Sequence, residues 1–324
     1  MTLPLSRGDQ GEAVRDLHRR LAAAGFGVVP GPPDVFSDAT KAAVEAFQRD
    51  RGLEVTGCCD AATWDLLVEA GYRLGDRLLY LQAPMLRGDD VTELQLRLSS
   101  LGFDTGRVDG IFGPQTERAL AEFQRNAGLP TDGIAGRATI SELCRLGTLV
   151  ERNDPVAVVR EREQLLRAPR ELNGRRIVVG DLGGLDALAS SLARVLRAEG
   201  ANVLLLDQPD GSAQAAAANN GNAEVFMGLV SAEEPAVAYF ATEGFASTGG
   251  RRLADLCAAA LEEHVHPNPC PTTGMRIPVL RETRMPAVLC RIGPPELAVT
   301  HAAAIAKGLA EAVRQWLASP LGDS

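Results

Sequence analysis

The sequence predicts a multidomain α and α/β protein: two small three-helix modules followed by a three-layer α/β domain with a mostly parallel mixed sheet. Three observations predict it. Residues 35–67 recur at 111–143, apolar residues inside both copies fall at helical spacing, and the texture changes after residue 174 to short apolar strands between amphipathic helices.

The repeat comes first. "VFSDATKAAVEAFQRDRGLEVTGCCDAATWDLL" aligns without gaps to "IFGPQTERALAEFQRNAGLPTDGIAGRATISEL", with 12 identities in 33 positions, which exceeds compositional chance and makes the two one unit. Upstream, "RGDQGEAVRDLHRRLAAAGF" (7–26) matches "RGDDVTELQLRLSSLGF" (87–103), the second copy being three residues shorter. Val14, Leu17 and Leu21 parallel Val91, Leu94 and Leu98; Ala43, Val44 and Phe47 parallel Ala119, Leu120 and Phe123, so each copy has two helices with a core face. Gly113-Pro114 puts proline at a first helical position, and Gly52 and Gly128 end the matching helices. A third short helix follows Gly57 or Gly133, around "AATWDLL" and "RATISEL". The predicted divisions are residues 1–76 and 77–148 for the modules, a charged connector over 149–174 with a helical patch near "VVREREQLL", and a third domain over 175–320.

In the third domain "RIVVG", "NVLLLD", "AEVFMGLV", "AVAYF" and "PAVLCRI" read as strands. "LDALASSLARVLRAEG", "RRLADLCAAALEEHV" and "AVTHAAAIAKGLAEAVRQWL" read as helices. Continuous apolar strands between helices indicate a sheet covered on both faces.

The formal charge of -9 argues against a nucleic-acid surface, since such affinity rests on neutralising phosphates. The N-terminus lacks a basic region followed by an apolar run, and no stretch reaches the roughly 18 apolar residues of a membrane span. The cytoplasm is therefore expected, with the six scattered cysteines reduced and packed as small apolar residues. "HVHPNPC", with His264, His266 and Cys270, is the one cluster of soft donors; without a fourth ligand, histidines at a helix end are a sufficient reading. No cofactor is called for.

The pattern of residues 108–143, "VDGIFGPQTERALAEFQRNAGLPTDGIAGRATISEL", resembles the peptidoglycan-binding domain 1 family. The first module departs from it, with "PPDVFS" for the first turn and Cys58-Cys59 in the second. The resemblance implies peptidoglycan binding, with Asp109, Phe112, Thr116 and Gln124 as candidate positions. Read as residues alone, Phe112 and Thr116 are core or capping groups, and Asp109 and Gln124 face a ligand, cap a turn or sit in solvent.

Residues 175 to about 318 resemble the N-acetylmuramoyl-L-alanine amidase type 3 family, most closely at "RIPVLRETRMPAVLCRIG" (276–293). That resemblance implies a zinc enzyme with His, Glu and His ligands and a proton-shuttling glutamate. Here Leu182 and Val230 stand at the two histidine positions, the loop for the ligand glutamate is missing, and Arg291 stands at the catalytic glutamate. Aliphatic carbons offer zinc no lone pair and a guanidinium accepts no proton, so the expectation is a pseudoenzyme without metal.

The domain combination, and the segment 71–116, resemble CwlM-type regulators of actinobacteria. The resemblance implies a cytoplasmic regulator of cell wall biogenesis that stimulates MurA by protein–protein binding, with peptidoglycan precursors (muropeptide or lipid-linked) as further ligands and a serine/threonine kinase as controller. The kinase-modified threonine of that family lies in a C-terminal tail; this chain ends at Ser324, leaving Thr272 and Thr273 as substitutes. Two alternatives stay open: a zinc-dependent amidase with displaced ligands, and a simple peptidoglycan-binding protein.

Overall fold

The computed structural model describes residues 3–28, 31–147, 155–264 and 269–322. The chain divides into two compact units, Met1–Val159 and Arg160–Ser324.

The first unit holds both repeats. α1 (Glu12–Ala23), α2 (Asp38–Asp50) and α3 (Ala61–Glu69) form one; α4 (Asp89–Ser100), α5 (Pro114–Asn126) and α6 (Arg137–Gly147) form the other. The predicted apolar stripes are the buried ones, Val14, Leu17 and Leu21 on α1 and Val91, Leu94 and Leu98 on α4. Each copy carries an edge-on aromatic pair at 5.6 Å, Phe26 with Phe47 and Phe103 with Phe123. The second helices begin differently: α2 uses a capping box between Ser37 and Thr40, whereas α5 has Pro114 in its first turn. Both are followed by a left-handed glycine, Gly52 at φ 60° and Gly128 at φ 69°.

Single bridges tie Leu5 to Cys59 and Gln10 to Val35 in the first copy, and Leu79 to Ala135 and Arg87 to Ile111 in the second. These bridges correct the sequence alignment at "RGD": Arg87 takes the place of Gln10, not Arg7, and Gly88 that of Gly11 before its helix. The three-residue difference lies between the bridges, where the second copy carries the longer segment from Leu79 to Arg87. Buried leucines, not surface charges, determine which residues are equivalent.

α7 (Val156–Arg167) lies within the predicted connector and spans the boundary between the units; residues 148–154 are outside the described set. Its second half belongs to the second unit's core: Leu165 is buried, and Glu161 accepts hydrogen bonds from Ser247 Oγ (2.5 Å) and the Thr248 amide (2.9 Å). That stretch is a packed helix rather than a spacer.

The rest of the second unit runs β1 (Arg176–Asp181), α8 (Asp186–Ala198), β2 (Asn202–Asp207), α9 (Gly211–Asn220), β3 (Val225–Ser231), β4 (Ala236–Thr242), β5 (Phe245–Ala246), α10 (Thr248–His264), β6 (Thr272–Met275), α11 (Pro278–Arg281), β7 (Ala287–Ile292), α12 (Pro295–Thr300) and α13 (Ala302–Ala318). The sheet order is β2-β1-β3-β7-β4-β5, with β6 on β4. β2, β1, β3 and β7 are parallel and β4 is antiparallel to β7, the mixed, mostly parallel arrangement that was predicted. One face packs on α8, α10 and α13 through Leu188, Leu192, Leu253 and Leu309; Trp316 closes it and donates Nε1–H to Gly249 O at 2.9 Å. On the opposite face the backbone at Gly180 meets Gln214 of α9.

All five predicted strands are present. α9, "GSAQAAAANN", carries no apolar stripe to announce it and is started by Asp210, whose carboxylate accepts from the Ser212 and Ala213 amides. The predicted last helix is broken at His301, which closes α12 and opens α13.

Candidate functional site

Two places carry the sequence-predicted residues, the turns of the second module and the carboxyl ends of the strands in the second unit. In the module, two buried glutamines organise everything around them. Gln95 Nε2 donates to Asp109 Oδ1 (3.0 Å), Ile111 O (3.1 Å) and Thr116 Oγ1 (3.1 Å), while its Oε1 accepts from the Asp109 and Gly110 amides. Gln124 Nε2 donates to Asp132 Oδ1 (2.8 Å), Ile134 O (3.0 Å) and Thr139 Oγ1 (3.2 Å), and its Oε1 accepts from the Gly133 amide. Each amide clamps one turn, "VDGIFG" or "TDGIAG". The bonds from Ile134 N–H and Gln124 hold the Asp132 carboxyl below its usual range.

This geometry corrects the candidate contacts. Phe112, Thr116 and Gln124 are buried to 1% exposure or less, with the polar atoms of the last two engaged inside the module. They build the turns and do not reach a surface ligand. Asp109 is half-buried, and its Oδ1 also accepts from the Ile111 amide (2.9 Å), closing its own turn. What faces solvent is the segment before α4: Leu78, Tyr80 and Met85 are 57, 39 and 43% exposed. Leu79 between them is buried and paired with Ala135, so strand alternation turns Leu78 and Tyr80 outward. Leu78 Cδ2 lies 3.7 Å from where a Gly136 Cβ would be, and Met85 Sδ 3.7 Å from that of Gly113, so the segment runs past both clamped turns. Sequence reasoning missed these three; the signal was the run of apolar residues outside the helical stripes.

In the first module Gln48 holds its turn as Gln124 does, donating to Thr56, Cys58 and Thr63. At the place of Gln95 stands His18, whose Nε2 lies 2.8 Å from Thr40 Oγ1. One ring nitrogen cannot replace an amide that binds five groups, which accounts for "PPDVFS" in place of the first turn. Burial lowers the His18 pKa from its ordinary 6.5, so the folded module favours the neutral ring. The first module is therefore expected to keep its full stability above about pH 6.5 and to lose part of it as pH falls below that value. His18→Gln should flatten the decline; an unchanged profile by chemical denaturation would remove His18 as its source. Cys59, buried in the turn that Gln48 holds, has its thiol pushed up to about 12 by burial.

In the second unit Leu182 follows β1, Val230 lies near the end of β3 and Arg291 near the end of β7. β1, β3 and β7 are neighbours, Val230 is the register partner of Arg291, and the Leu182 amide donates to Leu229 O at 2.9 Å. All three are half-buried. Leu229, Cys290 and Ile292 belong to the core on one face, so alternation places Val230 and Arg291 together on the other. The carboxyl ends of parallel strands are where α/β sheets receive ligands. Leu182 and Val230 do not fit as zinc donors and Arg291 does not fit as a proton acceptor, and no group of three or more His, Cys, Asp or Glu placed to hold a metal occurs among the described residues. Asp181, buried beside them, is spent on the turn into α8, accepting from the Gly183 and Leu185 amides.

The remaining candidates scatter. His266 and the His264 side chain lie outside the described residues, and Cys270 is buried, its thiol pushed up to about 12 by desolvation. Thr272 and Thr273 are exposed on β6. Among the described residues no helix is long and apolar enough to cross a membrane.

Residues 10–67 and 87–143 each match the peptidoglycan binding domain family. N-acetylmuramoyl-L-alanine amidase CwlM of Mycobacterium tuberculosis is 36% identical over 88% of this chain and 80% of its own length. N-acetylmuramoyl-L-alanine amidase CwlL of Bacillus licheniformis is 32% identical over 43% of this chain and 44% of its own. The solved N-acetylmuramoyl-L-alanine amidase from Clostridium difficile 630 superposes with a TM-score of 0.37 at 19% identity, covering 45% of this chain and 98% of that one. These relatives correct the expectation that the chain is no enzyme: they carry the name of an amidase, so three unsuitable side chains at strand ends do not take it out of an enzyme family. With two matched peptidoglycan binding domains and this identity across most of both sequences, the chain belongs to the family of N-acetylmuramoyl-L-alanine amidase CwlM.

Proposed function

We propose that the chain binds peptidoglycan, or its muropeptide or lipid-linked precursors, through the second module, and regulates precursor synthesis in the cytoplasm by docking on MurA through the amidase-like domain. The observation that carries it is the exposed segment Leu78, Tyr80 and Met85 beside two amide-clamped turns. An aromatic ring and two flexible apolar side chains on a rigid support suit the apolar faces of sugars and peptide stems. Leu182 and Val230 add half-buried apolar surface at strand ends, which suits a protein partner. Thr272 and Thr273 are accessible to a serine/threonine kinase.

The test uses the full-length chain. Leu78→Ala combined with Tyr80→Ala should weaken co-sedimentation with purified sacculi by about tenfold or more, as expected for a removed aromatic anchor. Undiminished binding would reject this surface. Added chain should also form a complex with MurA and change its rate; neither effect at saturating protein would reject the regulatory part. A second reading, amide cleavage, is favoured by the name its relatives share. Release of stem peptides from sacculi by the purified chain would establish it.

A further inference from the structure

β2 closes one end of the sheet, and its outer edge has the features of a strand that pairs with a copy of itself. Asn202 N–H donates to Arg175 O (2.8 Å) and Gln208 N–H to Asp181 O (3.2 Å). With a two-residue period, Asn202, Leu204 and Leu206 turn their peptide groups to β1, while Val203, Leu205 and Asp207 turn theirs outward. All six residues are exposed or half-buried, "NVLLLD" itself carries no lysine or proline to blunt a free edge, and Arg197 caps one of its outward carbonyls, that of Val203. Leu204 is 43% exposed beside a hollow of about 490 Å³ lined by Arg176, Arg197, Asn202, Leu204 and Ala223.

Charge is distributed along this edge in a self-complementary way. Arg197, in the last turn of α8, donates Nη2–H to Val203 O at 2.8 Å, which sets a guanidinium at the start of the edge. Asp207 is exposed at its end, and its carboxylate makes no hydrogen bond or ion pair among the described residues. Val203 and Leu205 pack toward the core on the α8 face, so Asp207, two residues further, lies on that same face as Arg197.

We infer that β2 is the docking edge for a second copy of this chain, paired antiparallel about a two-fold axis at Leu205. In that register Leu205 faces its counterpart and Val203 faces Asp207 of the other copy, all with outward peptide groups, so each pair exchanges backbone hydrogen bonds, Val203 O accepting from the Asp207 amide on the lone pair that Arg197 leaves open. Opposed residues project to the same face, which brings each Asp207 carboxylate to the other copy's Arg197 guanidinium. On the other face Leu204 meets Leu206 across the axis. A parallel pairing would set arginine beside arginine and aspartate beside aspartate, so the charges select the antiparallel, isologous arrangement.

Sedimentation velocity of the full chain over a concentration series tests this, together with amide hydrogen exchange. A two-chain mass should grow in with concentration, and exchange at Val203, Leu205 and Asp207 should slow in step. Arg197→Glu and Asp207→Arg should each weaken self-association by about tenfold or more, since each creates two like-charge contacts. An equimolar mixture of the two variants should restore it, because both contacts in the mixed dimer are then of opposite sign; restoration also shows that both variants fold. A chain that stays monomeric throughout, exchange at these amides that ignores concentration, or a mixture no stronger than its components overturns the proposal.

Discussion

Asp90→Ala is expected to destabilise the first unit by about 3 kcal/mol, the low end for breaking a buried ion pair. The Asp90 side chain is fully buried, with Oδ2 at 2.7 Å from Arg77 Nε, and Oδ1 at 3.1 Å from Nη2 and 2.9 Å from the Val91 amide. Removing it leaves a guanidinium still held by Arg87 O (2.6 Å) and the face of Tyr72 (3.8 Å), with only the Glu69 carboxylate left to offset its charge. The Arg77 side chain keeps 23% exposure, so water relieves part of the loss and the upper end of the range is not reached. The same carboxylate explains Gly88: a Cβ there would lie 2.3 Å from Asp90 Oδ1. Urea unfolding measures the effect, and a change below about 1 kcal/mol would show the pair to behave as a surface one. Because Arg77 and Leu78 are consecutive, the variant should also weaken sacculus binding.

Gly293→Ala is expected to cost the second unit at least about 3 kcal/mol, beyond ordinary overpacking, because the obstacle is backbone. The new Cβ would lie 1.9 Å from Ala232 O, 2.7 Å from Ala232 C and 2.9 Å from Glu233 C, where the chains leaving β3 and β7 touch. Neither can retreat without breaking the Ala232 N–H bond to Ile292 O (3.0 Å) and parting Val230 from Arg291. Gly27→Ala is the control: no atom lies within 4 Å of its Cβ and no left-handed backbone is required, so a change within about 0.5 kcal/mol is expected. Equal thermal stability of the two variants would show that the β3–β7 end yields.

Much of the fold was legible because its signals are local. The stripes of α1 and α4, the glycines after α2 and α5 and the five apolar strands follow from side-chain period and φ preference. α9 was not legible, since ten small and polar residues have no stripe and one capping aspartate starts the helix. The candidate site was half legible. Gln124 and Thr116 stand out in the repeat, but an amide that grips a ligand and one that grips its own turn have the same sequence signature.

From sequence alone came the duplication, the helical modules, the mostly parallel sheet and the identity of the residues near the strand ends, because each depends on spacing along the chain. Tertiary structure decided the rest: that Phe112, Thr116 and Gln124 face inward, that Leu78, Tyr80 and Met85 face outward, that Leu182, Val230 and Arg291 meet on adjacent strands, and that β2 lies at an edge. Burial and adjacency depend on which distant segment covers a residue, and that choice is made only when the cores close.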